Sequence, residues 1–230
     1  MSDSMRYEVK LVGAEMDMPR FETELRLLPS VLRPLHPTRI VQSVYLDTDD
    51  GLAMRDNLSG ISNRQKLRFR WYGDDSDEVE GQLEWKCRVN SLGSKDVVNL
   101  APMPVAGVTR RAFWRGLHER VPELWQRRLR GREPAQWIRY LRDYYGSGDG
   151  DLRITVDREL RAFDQRFDYV LSCRRKTPIP SLMIVEIKAS SEHREAIEAW
   201  LQGVGLRPSK CSKFVLATQP GEGPEPSLFN

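Results

Sequence analysis

The 230-residue sequence predicts an α+β fold in which antiparallel strands turn their charged faces inward as a closed barrel. Three observations carry this. Lys66, Arg68 and Arg70 alternate with Leu67, Phe69 and Trp71, and successive side chains of a strand point to opposite faces. The same split recurs. Arg6, Glu8 and Lys10 alternate with Tyr7, Val9 and Leu11, and Glu84, Lys86 and Arg88 with Leu83, Trp85, Cys87 and Val89. Glu186 and Lys188 alternate with Val185 and Ile187. Segments with apolar residues at helical spacing lie between these strands and supply helices for the apolar faces.

In order, residues 6–12 alternate and form a first strand. From Pro19, a good first helical residue, Phe21, Leu25, Leu28, Val31 and Leu32 place a helix over 19–35. A second strand spans 40–48. Gly, Asn, Asp and Ser make 49–63 a turn region. Strand 64–73, the acidic turn 74–81 and strand 82–89 form an antiparallel pair. Phe113, Leu117, Val121, Leu124 and Leu129 predict helix over about 109–130, divided at Pro122. Strands follow at 137–145, 151–160, 168–174 and 182–189. Ser190 or Ser191 caps a helix that Gly203 and Gly205 end. Residues 210–218 read as a last strand, in which Lys213 is out of phase with Lys210 and Ser212 unless a bulge intervenes. With no repeat or compositional break, residues 1–218 form one domain. The Gly-, Pro- and Glu-rich tail 219–230 is expected to be disordered.

Composition bounds the function. A hydrophobic share of 40% builds a core, and a net charge of +3 argues against a strongly basic nucleic-acid binder. Cys87, Cys173 and Cys211 form no CxxC pair, which fits a reducing, cytoplasmic location. The N-terminus lacks the apolar core of a signal peptide. No run approaches the roughly 18 apolar residues that span a bilayer, so any membrane association would come through a partner.

A single strand of this kind is most simply half of a sheet with one solvated face. Its recurrence, with faces made mostly of Arg, Lys and Glu, turns those faces inward. A dry, unpaired guanidinium or ammonium costs several kcal/mol, and the few inward carboxylates do not neutralise every cation. The interior is therefore wet and attracts anions. A phosphate oxygen accepting from Arg gains roughly 1.5–3 kcal/mol, and arginines at i and i+2 grip one phosphoryl group from two sides. Glu84 and Glu186 suit a hard divalent cation held together with substrate phosphates.

The motifs RYEVK, VYLDTDD, NRQKLRFRWYG, LEWKCRVN with a following GSK, YLRDYY, LRITVDREL, VEIK and KCSKF occur in this order across about residues 5–218. The ordered set resembles the VTC-domain branch of the triphosphate tunnel metalloenzymes, the polyphosphate-polymerase type. The resemblance implies a closed antiparallel β-barrel tunnel with helices packed outside, binding triphosphate with Mn²⁺ or Mg²⁺. The implied activity is a phosphotransferase that moves the γ-phosphate of ATP, or another nucleoside triphosphate, to a growing polyphosphate chain.

By motif, Lys10, Arg68, Arg70, Lys86, Lys95, Arg142, Lys210, Ser212 and Lys213 fall on phosphate contacts, and Tyr140 lines the same region. Glu186 falls on the metal, with Glu84 a second candidate. Lys66, Arg88, Arg153 and Lys188 share the inward phase. Catalysis then rests on Arg68, Arg70, Lys86, Arg142 and Glu186, with no protein nucleophile, because phosphoryl transfer needs positioning and charge neutralisation above all. Hydrolytic and cyclase relatives of the CYTH type carry alternating glutamates before the first-strand lysine. Here Glu8 stands alone before Lys10, which favours the polymerase over a tunnel triphosphatase. A non-catalytic polyphosphate-binding module is the remaining alternative. The chain lacks the regulatory domain and membrane helices of eukaryotic relatives, and a membrane partner remains compatible with it. His36, His118 and His193 share no metal spacing, GSGDG (146–150) matches no phosphate loop, and RRLRGR (127–132) reads as a solvated helix end or a polyanion-steering patch.

Overall fold

Alternating strands dominate the computed structural model, which describes residues 7–28, 30–90 and 92–218. Arg6, in the first predicted strand, and the tail from Gln219 lie outside the described residues. The strands are β1 (Tyr7–Ala14), β2 (Leu32–Asp47), β3 (Asn63–Tyr72), β4 (Val79–Val89), β5 (Leu92–Met103), β6 (Glu133–Ser147), β7 (Leu152–Asp164), β8 (Lys176–Thr177), β9 (Leu182–Ala189) and β10 (Arg207–Pro208). The helices are α1 (Met18–Leu25), α2 (Leu52–Leu58), α3 (Arg110–Arg120), α4 (Glu123–Leu129), α5 (Arg194–Leu201) and α6 (Lys213–Thr218). All strands join one antiparallel sheet in the order β10-β1-β9-β7-β6-β2-β3-β4-β5, with β8 added to β7.

The pleat sorts side chains as the alternation demands. On one face, Leu46, Leu67, Phe69, Trp71, Leu83 and Trp85 pack under α3 and α4 against Phe113, Leu117, Trp125 and Leu129. Farther along the same face, Val9, Leu11, Ile154, Val185 and Ile187 pack under α1 and α5 against Phe21, Leu25, Ile197 and Trp200. The opposite face carries the charges, and there side chains from distant strands meet. Lys66 Nζ on β3 donates to Ser212 Oγ, just beyond β10, over 2.8 Å, so the charged face is concave. Helix α6 lies on it, with Phe214 and Ala217 packed on Val41, Tyr45, Ile138 and Tyr140. Leu67 is 1% exposed on the apolar side. Leu67→Asp is expected to cost at least about 3 kcal/mol, measured by urea unfolding, because it buries a charge and opens a cavity.

Several expectations need correction. The hydrogen-bonded ladder is open between β5 and β10, so the predicted closed barrel is not formed by strand pairing. At one margin β10 has only two residues, and Pro208 has no N–H to donate. The helix expected over 19–35 stops at Leu25, and Leu32 opens β2. Pro34 and Pro37 lack the N–H groups a helix requires there, and register shifts flank Pro34 and His36. Within 49–63 lies α2, whose backbone N–H groups at Ala53 and Met54 donate to the Asp47 carboxylate over 2.8 and 3.0 Å. Strand β5 escaped the alternation test because it is a largely exposed edge with little apolar patterning. The strand expected at 168–174 reduces to a single bridge between Val170 and Thr109. Residues 213–218, expected as strand, form α6, which explains the odd phase of Lys213. Ser190 bonds the His193 ring over 2.9 Å in place of capping a backbone N–H. The break at Pro122 separates α3 from α4 as expected. Among the described residues, no helix is long and apolar enough to cross a membrane.

Candidate functional site

Register places the cations in rows. Lys66 stands opposite Lys86, and Lys86 opposite Lys95. Like charges directly opposed destabilise a sheet; Lys95 is relieved by Glu84 at 2.9 Å, whereas Lys66 and Lys86 face each other with no carboxylate between them in the register. The next row runs Tyr45, Arg68, Glu84, Val97, and the one beyond it Ser43, Arg70, Gln82, Asn99. On the far wall, Lys10 stands opposite Glu186, and Lys188 lies between Glu8 and Arg153.

Glu84 is 3% exposed and holds the arginine row together. Arg68 Nε donates to Glu84 Oε2 over 2.7 Å and Lys95 Nζ to Oε1 over 2.9 Å, with Arg70 at 3.8 Å. Burial works to raise the Glu84 pKa, but Arg68, Arg70 and Lys95 outweigh it and hold the carboxyl at about 2. Arg68 also donates to the Tyr45 hydroxyl over 2.8 Å, and Arg70 to Ser43 Oγ and the Tyr140 hydroxyl over 3.2 and 3.3 Å.

Glu186 has a looser setting. Lys188 lies 2.9 Å and Lys10 3.9 Å from it, while Glu8 is 3.5 Å from both lysines. Burial opposes ionisation here too, yet Lys10, Lys188 and Lys213 keep the Glu186 pKa at about 2. Glu8 and Glu186 thus form a partly exposed carboxylate pair among lysines. Among the described residues, no three His, Cys, Asp or Glu side chains converge as a metal cage. One or two carboxylates are nevertheless the usual protein share of a Mg²⁺ site completed by substrate phosphates. Glu186 and Glu8 fit that share, whereas both oxygens of Glu84 are already engaged by cations.

A third cluster lies deeper. Asp157, 1% exposed, takes a bidentate bond from Arg142 at 2.5 and 2.7 Å and an ion pair from Lys213 at the start of α6. Arg142 and Lys213 both face the Tyr140 ring, at 5.3 and 4.9 Å. A bulge follows Asp157. The β6–β7 register slips between Arg139 and Leu141, where Glu159 has φ 51°. Asp157 faces inward before it, in phase with Arg153, and residues 160 and 162 turn inward after it.

The two walls sense each other across the cleft. Burial, then Lys10, Lys86, Arg68 and Arg64, press the Lys66 pKa down to about 7. The charges of Lys10, Glu8, Glu186 and Lys188 reach Lys86. The structure therefore brings together Lys10, Lys66, Arg68, Arg70, Glu84, Lys86, Lys95, Tyr140, Arg142, Glu186, Lys188, Ser212 and Lys213. Arg88 turns away to the Asn90 carbonyl at 3.0 Å, and Arg153 and Lys210 are exposed at the margin. Sequence reasoning missed Tyr45, Ser43 and Asp157 as members of the site. Tyr45 shares the phase of Ser43, but Asp157 was legible only as the in-phase successor of Arg153.

The fold has a solved counterpart. A candidate adenylyl cyclase from Hippeastrum with a dominant triphosphatase activity is 15% identical, with a TM-score of 0.55 over 93% of this chain and 95% of that one. A candidate adenylate cyclase from Vibrio parahaemolyticus is 11% identical, with a TM-score of 0.44 over 88% and 85%. No curated protein matches the sequence. The model of the VTC domain matches residues 5–220, a span that takes in every row of the cleft, and the chain belongs to the VTC domain family.

Proposed function

We propose that the chain is a metal-dependent polyphosphate polymerase that transfers the γ-phosphate of ATP, or another nucleoside triphosphate, to a polyphosphate chain lying along the concave face as in a tunnel. The observation that carries this is the lysine row Lys66–Lys86–Lys95, of which only Lys95 is paired with Glu84, faced by Lys10 from the other wall. Such a row is unfavourable when empty and favourable with a chain of phosphates on it. Arg68 and Arg70 grip the transferring phosphoryl group, pre-aimed by Glu84, Tyr45, Ser43 and Tyr140. Lys66, Lys86, Lys10 and Ser212 hold neighbouring phosphates, and Arg142 and Lys213 close the deep end. Glu186, with Glu8, would hold Mg²⁺ or Mn²⁺, which neutralises charge on the β- and γ-oxygens when bound. Positioning and charge neutralisation are what phosphoryl transfer requires of a protein, so the terminal oxygen of the polyphosphate serves as nucleophile.

The test is a polymer-length gel. Purified chain with ATP and Mn²⁺ is expected to give long polyphosphate and ADP. Free phosphate without polymer would overturn the polymerase and leave a tunnel triphosphatase, the reading favoured by the activity of the Hippeastrum neighbour. Phosphate binding that survives Glu186→Ala, with no turnover on any metal, would leave a binding module.

The Lys66 setting yields a pH prediction. An arriving polyanion raises the depressed pKa of about 7, so the bound state holds more protons and affinity falls as pH rises above 7. Calorimetric titration with tripolyphosphate between pH 7.5 and 9.5 is expected to show up to about tenfold loss per unit. Lys66→Gln is expected to flatten the slope. The empty protein has the opposite trend in stability. Its unfolded chain keeps the Lys66 proton above pH 7, so this residue makes folding more favourable as pH rises through that window.

A further inference from the structure

A cavity of about 710 Å³ opens on the outer wall, away from the concave face. Its lining includes Arg110, Arg111 and Trp114 of α3, Arg132 before β6, and Phe167 and Tyr169 beyond β7. The size falls within the usual 300–1,000 Å³ of ligand clefts.

The walls are braced. Segment 107–110 zips to 169–171, with Leu171 N donating to the Val108 carbonyl over 2.8 Å and Arg110 N to the Tyr169 carbonyl over 3.1 Å. Gln165 is fully buried at 0% exposure and ties the loop across itself, donating to the Phe163 and Ser172 carbonyls over 3.0 and 2.9 Å. Arg110 donates to the Arg166 carbonyl over 2.7 Å and to Glu133 over 2.5 Å. Yet on this fixed loop Phe167 and Tyr169 stand 69% and 81% exposed. Neither ring belongs to a core cluster; Phe167 carries the Arg166 and Arg175 guanidinium groups at 5.4 and 5.6 Å, and large rings left exposed on a rigid support mark recognition sites.

The charges are selective. Glu133 is taken by Arg110, and Asp168 lies 3.6 Å from Arg175. Arg111 makes no ion pair among the described residues. Arg132 donates to the Arg128 carbonyl and to Gln65 Oε1, not to a carboxylate. Asp49 also lines the cavity, and the Arg132 guanidinium lies over the Trp85 ring at 5.0 Å, so Arg111 is the more available cation and Arg132 a second one not matched by a carboxylate, beside exposed aromatic rings. Planar stacking surfaces together with guanidinium donors suit one ligand class, a base joined to phosphates.

We propose that this cavity is a second nucleotide site, with the base on the Phe167 and Tyr169 rings and the phosphates on Arg111 and Arg132. It goes beyond the phosphotransfer reading, which concerns only the concave face. The experiment is photolabelling of the full chain with 8-azido-ADP, followed by peptide mapping, with Arg111→Glu and Tyr169→Ser in parallel. Both residues are exposed, so both variants should fold. Saturable label is expected on segments 107–116 and 163–172, falling at least tenfold in each variant while phosphate turnover is unchanged. Label confined to concave-face strands, no label, or label unmoved by both variants would overturn the site. Label on the outer segments without any polymer formation would keep this site and sink only the polymerase.

Discussion

Arg70→Ala is expected to lower kcat/KM for the nucleoside triphosphate by roughly 10²–10³, the loss typical of one preorganised donor on a developing charge. Arg70 side-chain partners are hydroxyls and the edge of Glu84, so its truncation leaves no strong ion pair broken and the fold should hold. Arg68→Ala differs, because it removes the nearest cation from a carboxylate that is 3% exposed. Breaking a buried pair from one side costs about 3–5 kcal/mol. This variant should therefore lose stability together with turnover. Adding Glu84→Gln removes the stranded charge, so Arg68→Ala/Glu84→Gln is expected to regain most of the stability and none of the turnover. Melting curves read alongside initial rates separate the two effects. Near-normal turnover in the double variant would refute a phosphate-gripping role for Arg68.

The facing of Lys66, Arg68 and Arg70 was legible because period-two alternation has one physical meaning in a strand. The same test failed where local geometry changes the phase. Leu160 and Ala162 turn inward only after the bulge at Glu159, whose φ of 51° no alternation pattern announces. Lys213 looked misaligned because KFVLAT is apolar enough to read as strand. Its helical state is set by packing of Phe214 on Tyr45, with ring centroids 4.8 Å apart. Glu84 illustrates a different limit. Its inward phase was readable, but engagement by Arg68, Arg70 and Lys95 depends on cross-strand neighbours 11 to 16 residues away. The missing ladder closure is also a three-dimensional matter. Side chains such as Lys66 and Ser212 bridge the walls where backbone pairing does not.

Glu186→Gln is expected to reduce turnover by at least about 10³, near 4 kcal/mol of transition-state stabilisation, with opposite effects on binding with and without metal. The substitution keeps shape and removes one charge between Lys10 and Lys188. Without metal, both lysines lose one of their two carboxylate neighbours and keep only Glu8, so tripolyphosphate should bind as tightly as to the wild type or more tightly. With Mn²⁺, the variant lacks the carboxylate that would hold the cation, so the metal should no longer strengthen binding and half-maximal activity should require much more of it. A merely structural ion pair predicts otherwise, because its loss would weaken binding in both conditions and lower the melting temperature. Glu8→Gln tests the partner carboxylate and is expected to show the same signs at smaller amplitude. Calorimetry with and without Mn²⁺ reads the contrast directly. Equal metal dependence in wild type and Glu186→Gln would remove this carboxylate from the cation site, whatever the polymer gel shows.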